Sequence, residues 1–299
     1  IQVDEGLPVC KIGDPKHASD LQVPNYEAFD ACGFANFNGG YAIGATPFAL
    51  QSNRLANVEF DTILFDEASQ VTLPLAIMAM LAGNKYVFIG DENQLPPVSV
   101  FSERASAGAS IFAYLSGRGS QTMLNITYRL NDVLAEWPSR TFYRNELKPN
   151  DSVAGRRLQL APNSSTWDQI LAPEHPAIFL DLCHKNTTVR SRTEAEMVIQ
   201  LILALLERGI APEEIGVVVP YRAQSRLIRA LLRRELRDEE VLRSIVVDTV
   251  ERMQGQEREV VLVSFATGSP AFAAQVSDFF FQPQRLNVAV TRPRTKLVL

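Results

Sequence analysis

The sequence predicts an α/β protein in which parallel strands alternate with helices. Short apolar runs rich in β-branched residues recur along the chain, and segments with apolar residues at helical spacing lie between them. Two of these runs, at 62–65 and 86–89, are each followed within two positions by acidic residues. Buried parallel strands read as such runs, and α/β proteins place functional side chains beyond the C-terminal ends of their strands.

The first half of the chain is predicted to begin with a loop-rich region and then to enter the sheet. Residues 1–40 are rich in Gly, Asp, Asn and Pro, and the segment 116–120 is the best linker candidate. Gly83 and Asn84 are expected to end a helix, because glycine commonly follows the last helical residue. In chain order the predicted elements are a strand over 41–47 that stops at its proline, a strand over 62–66, a helix over 73–81 and a strand over 86–89.

The second half repeats the alternation of strands and helices. Apolar residues at helical spacing indicate its first long helix, and Pro220 stops a run of branched apolar residues. The segment 150–175 is rich in Pro and Ser and is expected to be irregular. In chain order the predicted elements are a strand over 177–182, a helix over 194–207, a strand over 215–219, a helix over 223–236, strands over 245–247 and 260–265, a helix over 284–291 and a strand over 296–299.

The composition is that of an ordinary globular protein, with 46% hydrophobic and 21% charged residues in a chain of 299. This length suits two domains. No stretch has the apolar length of a membrane span, and the start lacks the features of a secretory signal, so no membrane partner is expected. Because the first residue is not Met, we expect the chain to be an excised fragment.

Cysteine, histidine and charge narrow the function classes further. The three cysteines have no paired or metal-like spacing, which predicts free thiols in a reducing, cytoplasmic compartment. The three histidines are scattered and support no metal site. A net charge of −5 argues against a protein that coats nucleic acid through bulk charge. The densest basic run lies at 226–237, and the acidic residues interspersed in it favour a solvated helix face.

The acidic residues after the two early strands have a specific chemical interpretation. Asp66 can hold Mg²⁺ through water and Glu67 can orient an attacking water, while the neutral amide of Gln94 can reach a terminal phosphate. An apolar strand that ends in Asp-Glu is common and is weak evidence when it stands alone. The run Gly90–Pro97, Gly-Asp-Glu-Asn-Gln-Leu-Pro-Pro, is much rarer.

Together these two runs resemble motifs II and III of superfamily 1 helicases. The Gln-Leu-Pro-Pro form resembles the superfamily 1B branch of the nonsense-mediated-decay RNA helicase and its DNA-acting relatives. Three later runs extend the resemblance: Thr127–Asn131, which contains Tyr-Arg; Asp248–Glu257, which resembles motif V; and Arg285–Arg292, which resembles motif VI. Five matches in the right order make an accidental resemblance very unlikely.

The resemblance implies roles for residues in both halves. Asp66, Glu67, Gln94, Arg129 and Arg292 would be catalytic, with Asp66 on the metal, Arg129 on the γ-phosphate and Arg292 as the arginine finger. Further nucleotide contacts would come from Asp91, Gly255 and Glu257, and nucleic-acid contacts from Thr46, Pro47, Pro220, Tyr221 and Thr249. The chain departs from the family at Met253, where a bulky or aromatic residue is usual, and at Pro293, where Ala is usual. Pro293 predicts that the preceding helix ends at or before Arg292.

The resemblance also implies the architecture and the ligands. Two RecA-like parallel-sheet domains are expected, at 1–118 with motifs Ic, II and III and at 119–299 with the Tyr-Arg run and motifs V and VI. The first is expected to be truncated at its N-terminus, because the chain has no Gly-x-x-x-x-Gly-Lys-Ser/Thr loop. The expected ligands of the parent protein are ATP, Mg²⁺ and single-stranded DNA or RNA. We expect the fragment to be inactive alone. The residues of both halves that are expected to line one cleft are Asp66, Glu67 and Gln94 on one side and Arg129, Gly255, Glu257 and Arg292 on the other.

Two other functions stay open at this point. The chain could belong to a non-catalytic nucleic-acid-binding or scaffold protein that has lost its phosphate-binding loop. The joint presence of Asp66, Glu67, Gln94 and Arg292 argues against this alternative, since a scaffold has no physical need for the set. A different phosphate-loop enzyme, such as a kinase, is disfavoured by Arg129 and Arg292 in a second α/β half.

Overall fold

The computed structural model of this chain describes residues 9–13, 24–36, 39–55, 58–97, 109–162, 164 and 166–299. Part of the expected loop-rich region at 1–40, with His17, therefore lies outside the described residues. Two compact units divide the chain. The first unit comprises Ile1–Glu92 and Pro96–Ser120, and the second comprises Asn93–Leu95 and Gln121–Leu299. In the described part of the chain, no helix has both the length and the apolar character needed to cross a bilayer.

The described residues of the first unit form two small parallel sheets and three short α-helices. Its elements are β1 (Lys11–Ile12), β2 (Asn25–Tyr26), α1 (Pro47–Leu50), β3 (Phe60–Phe65), α2 (Leu73–Met80), β4 (Gly83–Phe88) and α3 (Ile111–Leu115). β1 pairs with β2, and β3 pairs with β4. Phe65 and Phe88 stack at the ends of β3 and β4 with ring centroids 4.7 Å apart. Leu64 and Val87, which directly precede these two rings, are exposed.

Two predictions for the first unit were wrong. Residues 41–46 form no strand; instead Thr46 caps α1, its hydroxyl accepting a hydrogen bond from the Ala49 amide at 3.2 Å. The proline at the first helical position has no amide to leave unsatisfied, so Thr-Pro starts a helix here rather than stopping a strand. Gly83 is the first residue of β4 and not a helix cap. A Cβ at this position would lie 2.8 Å from the Phe60 carbonyl oxygen, so close packing of the two strands requires the glycine.

The second unit is built on a five-stranded, fully parallel sheet. The strands of the whole second unit, in chain order, are β5 (Ile126–Thr127), β6 (Lys148–Pro149), β7 (Ala177–Ile178), β8 (Ile215–Val219), β9 (Val246–Thr249), β10 (Arg258–Val263) and β11 (Pro293–Val298). The sheet order is β7-β11-β10-β8-β9, while β5 and β6 form a separate parallel pair. The predicted strands are therefore confirmed with shifted ends, of which β7 is the most shortened because only two of its residues pair with β11.

Helices cover both faces of the large sheet. The helices of the second unit are α4 (Asp132–Phe142), α5 (Asp151–Ala154), α6 (Asp168–Leu171), α7 (Arg192–Glu207), α8 (Arg222–Glu235), α9 (Glu239–Ser244), α10 (Val250–Met253), α11 (Pro270–Gln275), α12 (Ser277–Phe280) and α13 (Pro283–Val290). Val217 and Val219 of β8 face a core shared with α7 and α8, whereas Val218 faces a core shared with α4, α10 and α13. Alternating side chains of β8 therefore pack in two cores, one on each face of the sheet, which explains why β8 is a continuous apolar run.

Candidate nucleotide and nucleic-acid sites

The first unit brings the two predicted acidic motifs together at the C-terminal ends of its strands. Asp66 and Glu67 follow β3, and Asp91 follows β4. The amide of Ala68 donates to the Ile89 carbonyl at 2.8 Å, which ties the turn after β3 to the end of β4. A Cβ on Gly90 would lie 2.9 Å from the Ser69 amide nitrogen. Only glycine lets the two chain segments pass this closely, which explains why a glycine precedes Asp91 in the second motif.

Glu67 adopts an unusual backbone conformation. Its φ of 51° and ψ of 42° place it in the left-handed region. A non-glycine residue there costs of order 1–3 kcal/mol, and such strain concentrates at functional sites. The exposed Asp66 side chain accepts a hydrogen bond from the Glu67 amide through Oδ1, at 3.0 Å. The turn therefore fixes the backbone that carries both carboxylates.

Gln94 lies in a tripeptide that packs with the second unit, although the predicted domain limits placed it in the first. Leu95 is buried in the core that contains Leu130 and Leu134. Asn93 donates to the Phe142 carbonyl at 3.1 Å and accepts on its own carbonyl from Asn287 Nδ2 at 2.9 Å. The second unit therefore holds the backbone on both sides of Gln94.

Asn287 is a residue of this site whose role sequence reasoning missed. It is fully buried on α13, and its Nδ2 also contacts the Tyr143 hydroxyl at 2.7 Å. The signal was present in the sequence, because an asparagine stands directly before the apolar run Val288–Val290 on a helix face that would otherwise pack as core. A buried amide needs partners, and here the partners are the Asn93 carbonyl and the Tyr143 hydroxyl.

A second group of predicted residues meets at the N-terminal ends of β10 and β11. Arg129 donates through Nε to Glu257 Oε2 at 2.8 Å and through Nη1 to the Thr291 carbonyl at 3.2 Å. Arg294 Nη1 lies 3.4 Å from the other oxygen of Glu257. Burial alone would raise the pKa of Glu257, but its hydrogen bond to Arg129 and the charges of Arg129 and Arg294 outweigh burial and hold the pKa below its ordinary value. Glu257 is thereby kept ionised.

Arg292 belongs to the same group but is buried, with 2% of its surface exposed. Its Nε donates to the Val288 carbonyl at 2.9 Å, its Nη2 to the Thr291 hydroxyl at 3.0 Å and its Nη1 to the Gln256 carbonyl at 3.4 Å. The preceding helix ends at Val290, in agreement with the expectation from Pro293. The arginine-finger role stays a prediction, and in this conformation the guanidinium is engaged by its own unit.

Gly255, in the turn before β10, and Met253, just before that turn, have clear structural roles. Gly255 has a φ of 76°, and nothing lies within 4 Å of the place where a Cβ would stand. Glycine is therefore needed there for the left-handed backbone and not for space. Met253, the last residue of α10, is fully buried in the core with Val250 and Val288, where its flexible side chain fills apolar space.

The predicted nucleic-acid residues of the second unit lie at the opposite ends of the strands. Pro220 and Tyr221 follow β8, and Thr249 ends β9. The Tyr221 ring stacks on Phe279 with centroids 5.6 Å apart, and burial raises the pKa of its hydroxyl. β10, with six residues, spans about 20 Å, so these residues are well separated from Glu257. Thr46 and Pro47 lie at the start of α1 in the first unit.

Comparison with known proteins identifies the family. A family model described as AAA domain matches residues 107–299, and a second model with the same description matches residues 42–103. With its parallel sheets and paired motifs, the chain has a RecA-like fold and belongs to the AAA-domain family of superfamily 1 helicases.

Three curated relatives illustrate the range of that family. The Drosophila melanogaster homolog of regulator of nonsense transcripts 1 is 31% identical over 82% of this chain and 21% of its own length. A DNA replication ATP-dependent helicase/nuclease of Mus musculus is 28% identical over 88% of this chain and 27% of its own length. The DNA polymerase alpha-associated DNA helicase A of Schizosaccharomyces pombe is 31% identical over 91% of this chain and 42% of its own length. The chain thus spans less than half the length of each.

Proposed function

We propose that the whole protein carrying this chain is a helicase or translocase that hydrolyses ATP and uses the energy to move along single-stranded nucleic acid. The observation that carries the proposal is the pair of carboxylates at the C-terminal end of β3. Glu67 has a strained left-handed backbone, and the end of β4 passes close beside the same turn. Relatives of this chain are ATP-dependent helicases by name, and a carboxylate pair of this kind can hold Mg²⁺ and orient the attacking water.

The residues present fit the metal and terminal-phosphate part of a bound Mg²⁺–ATP. Asp66 is exposed, and one of its oxygens stays available when the other accepts the Glu67 amide. In the part of the chain that the structure describes, no three His, Cys, Asp or Glu side chains group to hold a metal ion. Mg²⁺ is usually bound through one or two carboxylates together with nucleotide phosphates, and Asp66 can supply one such carboxylate. Bound Mg²⁺–ATP would supply the phosphoryl group and neutralise its charge.

The protein groups then take distinct roles. Asp66 would hold the metal, and Glu67 would orient the attacking water and accept its proton. The amide of Gln94 would contact the terminal phosphate. Glu257 would accept from sugar hydroxyls, a role that suits a carboxylate kept ionised by its neighbouring arginines.

The two arginines differ in how readily they can reach a phosphate. The Arg129 side chain is 30% exposed, whereas Arg292 as a whole is 2% exposed. Arg129 is therefore the guanidinium that a phosphate can meet without repacking of its unit. For Arg292 to act as a finger, its hydrogen bonds to Val288, Thr291 and Gln256 must break, which would couple its arrival to a rearrangement.

The test is nucleic-acid-stimulated ATP hydrolysis by the whole protein that carries this chain. Matched single-stranded RNA and DNA oligomers of the same sequence are added at saturating ATP and Mg²⁺. We expect at least one of the two to accelerate phosphate release severalfold, and the better activator identifies the preferred substrate. Hydrolysis that neither oligomer stimulates would contradict the coupling to nucleic acid. No hydrolysis at all would contradict the whole proposal and would support the non-catalytic scaffold alternative.

A further inference from the structure

Helix α8 carries a row of arginines that the proposed function does not use. Arg222, Arg226, Arg229 and Arg233 are spaced by three or four positions and are all exposed. At 3.6 residues per turn they fall within an arc of about 60° and extend over about 16 Å of the helix. We call these four residues the α8 arginine row. The buried face of the helix is separate and consists of Gln224, Ser225, Ile228 and Leu232.

The row lies beside the edge strand of the sheet. β9 is the last strand in the sheet order, and α8 packs against it. Arg229 Nε and the Ser225 hydroxyl both donate to the Val247 carbonyl, at 3.0 and 2.9 Å. Arg252 of α10, with a side chain that is 64% exposed, adds a fifth guanidinium. Its Nη1 and the Nη2 of Arg229 each lie 3.4 Å from the same oxygen of Asp248.

The acidic residues that dilute this run in the sequence do not dilute it in space. Glu235 is the last residue of α8, and Asp238, Glu239 and Glu240 start α9. α9 packs against the turn Pro212–Glu214 that leads into β8, whereas Arg222 follows the other end of β8. The sequence-based interpretation as a solvated face rested on this mixing of charges. In the structure Asp248 contacts two of the five arginines, Arg229 and Arg252, and the five together form a basic strip on a chain of net charge −5.

We propose that the α8 arginine row, with Arg252, binds the phosphate backbone of a nucleic-acid strand. All five cations are arginines, whose planar fork matches phosphate geometry. A nucleic-acid strand carries one negative charge on every nucleotide, so the α8 arginine row can contact several phosphates of one strand at once. The carboxylates of an acidic peptide repeat only where its sequence places them. This surface begins at Arg222, next to Tyr221 at the strand end, and runs from there along the flank of the sheet. It rests on the proposed function for the choice of nucleic acid as the polyanion.

The test is direct binding of the 299-residue chain to fluorescently labelled single-stranded oligomers of DNA and RNA, followed by anisotropy without ATP. The row variant is R222Q/R226Q/R233Q, which leaves Arg229 in place because it contacts the edge strand. The matched control is R54Q/R140Q/R190Q, which removes the same charge at exposed positions outside α8. Thermal melting of each variant checks that it is folded, and R226Q alone provides a milder change.

We expect the row variant to bind at least about tenfold more weakly between about 50 and 200 mM salt. The slope of log affinity against log salt should fall by about 2, since each single-strand phosphate contact contributes about 0.7. R226Q should lower the slope by about 0.7. The control should stay within about twofold of the unmodified chain.

Each other outcome has a definite meaning. Equal losses in the row variant and the control would show a bulk-charge effect and overturn the inference. Unchanged binding and slope in the row variant would overturn it while leaving the proposed function standing. Displacement of the oligomer by poly-glutamate as readily as by unlabelled oligomer would also overturn it, because the surface would then not distinguish phosphate. No binding of any oligomer by the unmodified chain would count against both the inference and the nucleic-acid part of the proposed function.

Discussion

At the scale of single residues, the sequence predicted which side chains carry chemistry better than it predicted their partners. Asp66 and Glu67 follow a strand as expected, because an apolar run that ends in carboxylates is a local signal. The Arg129–Glu257 ion pair joins residues 128 positions apart, and no pattern in the sequence near either residue predicts such a contact. The burial of Arg292 was equally hidden, since it depends on carbonyl groups that the fold of α13 and the turn before β10 bring to it.

Asn287 should be a positioning residue for the segment that contains Gln94. Asn287→Ala would leave the Asn93 carbonyl and the Tyr143 hydroxyl without their shared donor. We expect the free energy of unfolding of the second unit to fall by about 1–3 kcal/mol, because two hydrogen bonds are lost at about 0.5–1.5 kcal/mol each. Denaturant unfolding followed by tryptophan emission measures this, because both tryptophans, Trp137 and Trp167, lie in the second unit.

Tyr143→Phe is the matched control for this prediction. It removes one of the two hydrogen bonds and should cost less than Asn287→Ala. Because the two residues share a contact, the double variant should cost less than the sum of the single changes. A change of under about 0.5 kcal/mol in Asn287→Ala would show that the amide does not hold the segment.

At the scale of elements, apolar periodicity predicted the strands and helices of the second unit, and turn chemistry decided where prediction failed. β8 and α7 form where branched runs and helical spacing placed them, because buried elements carry the strongest signal. The predicted strand at 41–47 was wrong because a Thr-Pro pair can begin a helix as well as end a strand. The end of the helix before β4 was misplaced because Gly83 serves strand packing.

Lys296 on β11 should make stability depend on pH in the alkaline range. Its side chain is buried and donates to the Ala172 and His175 carbonyls at 3.1 and 2.6 Å. Burial lowers its pKa to about 8 from the ordinary 10.5, and the charge of Glu174 only partly opposes this. Between those two values the unfolded chain binds more protons than the folded chain, so the free energy of unfolding attributable to Lys296 rises with pH across this window.

The measurement is the difference in unfolding free energy between the unmodified chain and Lys296→Met, taken at several pH values from 7 to 10. Other titrating groups cancel in the difference. We expect the unmodified chain to gain on the order of 2 kcal/mol relative to the variant as pH rises through the window. A difference that does not change with pH would show that Lys296 is not titrating in the folded state.

At the scale of the whole molecule, the family and the fold class followed from motif order, but the grouping of residues into units did not. The tripeptide Asn93–Leu95 packs with the second unit although the residues on either side of it belong to the first. The sequence around Asn93–Leu95 does not predict this change of unit. The change depends on burial of Leu95 in the core that contains Leu130, and on the hydrogen bond from Asn287 to the Asn93 carbonyl. The first unit ends at Ser120, and the linker role of 116–120 stays a prediction.

The 299-residue chain by itself should not bind ATP measurably. It contains no Gly-x-x-x-x-Gly-Lys-Ser/Thr loop, whose amides and lysine meet the phosphates directly. Asp66 and Glu67 would then present two carboxylates to a polyanion without a nearby cation of that loop. Titration with a fluorescent ATP analogue and Mg²⁺ tests this. Saturable micromolar binding would mean that the nucleotide site is misplaced or that another segment replaces the loop.

The most direct test of the central assignment is Glu67→Gln in the whole protein that carries this chain. The substitution keeps the shape of the side chain and removes the charge that orients water. We predict that ATP binding, measured by equilibrium titration, is retained within a few fold, while nucleic-acid-stimulated turnover falls by about 10² or more. Turnover close to that of the unmodified protein would contradict the assignment of Glu67, and with it the hydrolytic site at the end of β3.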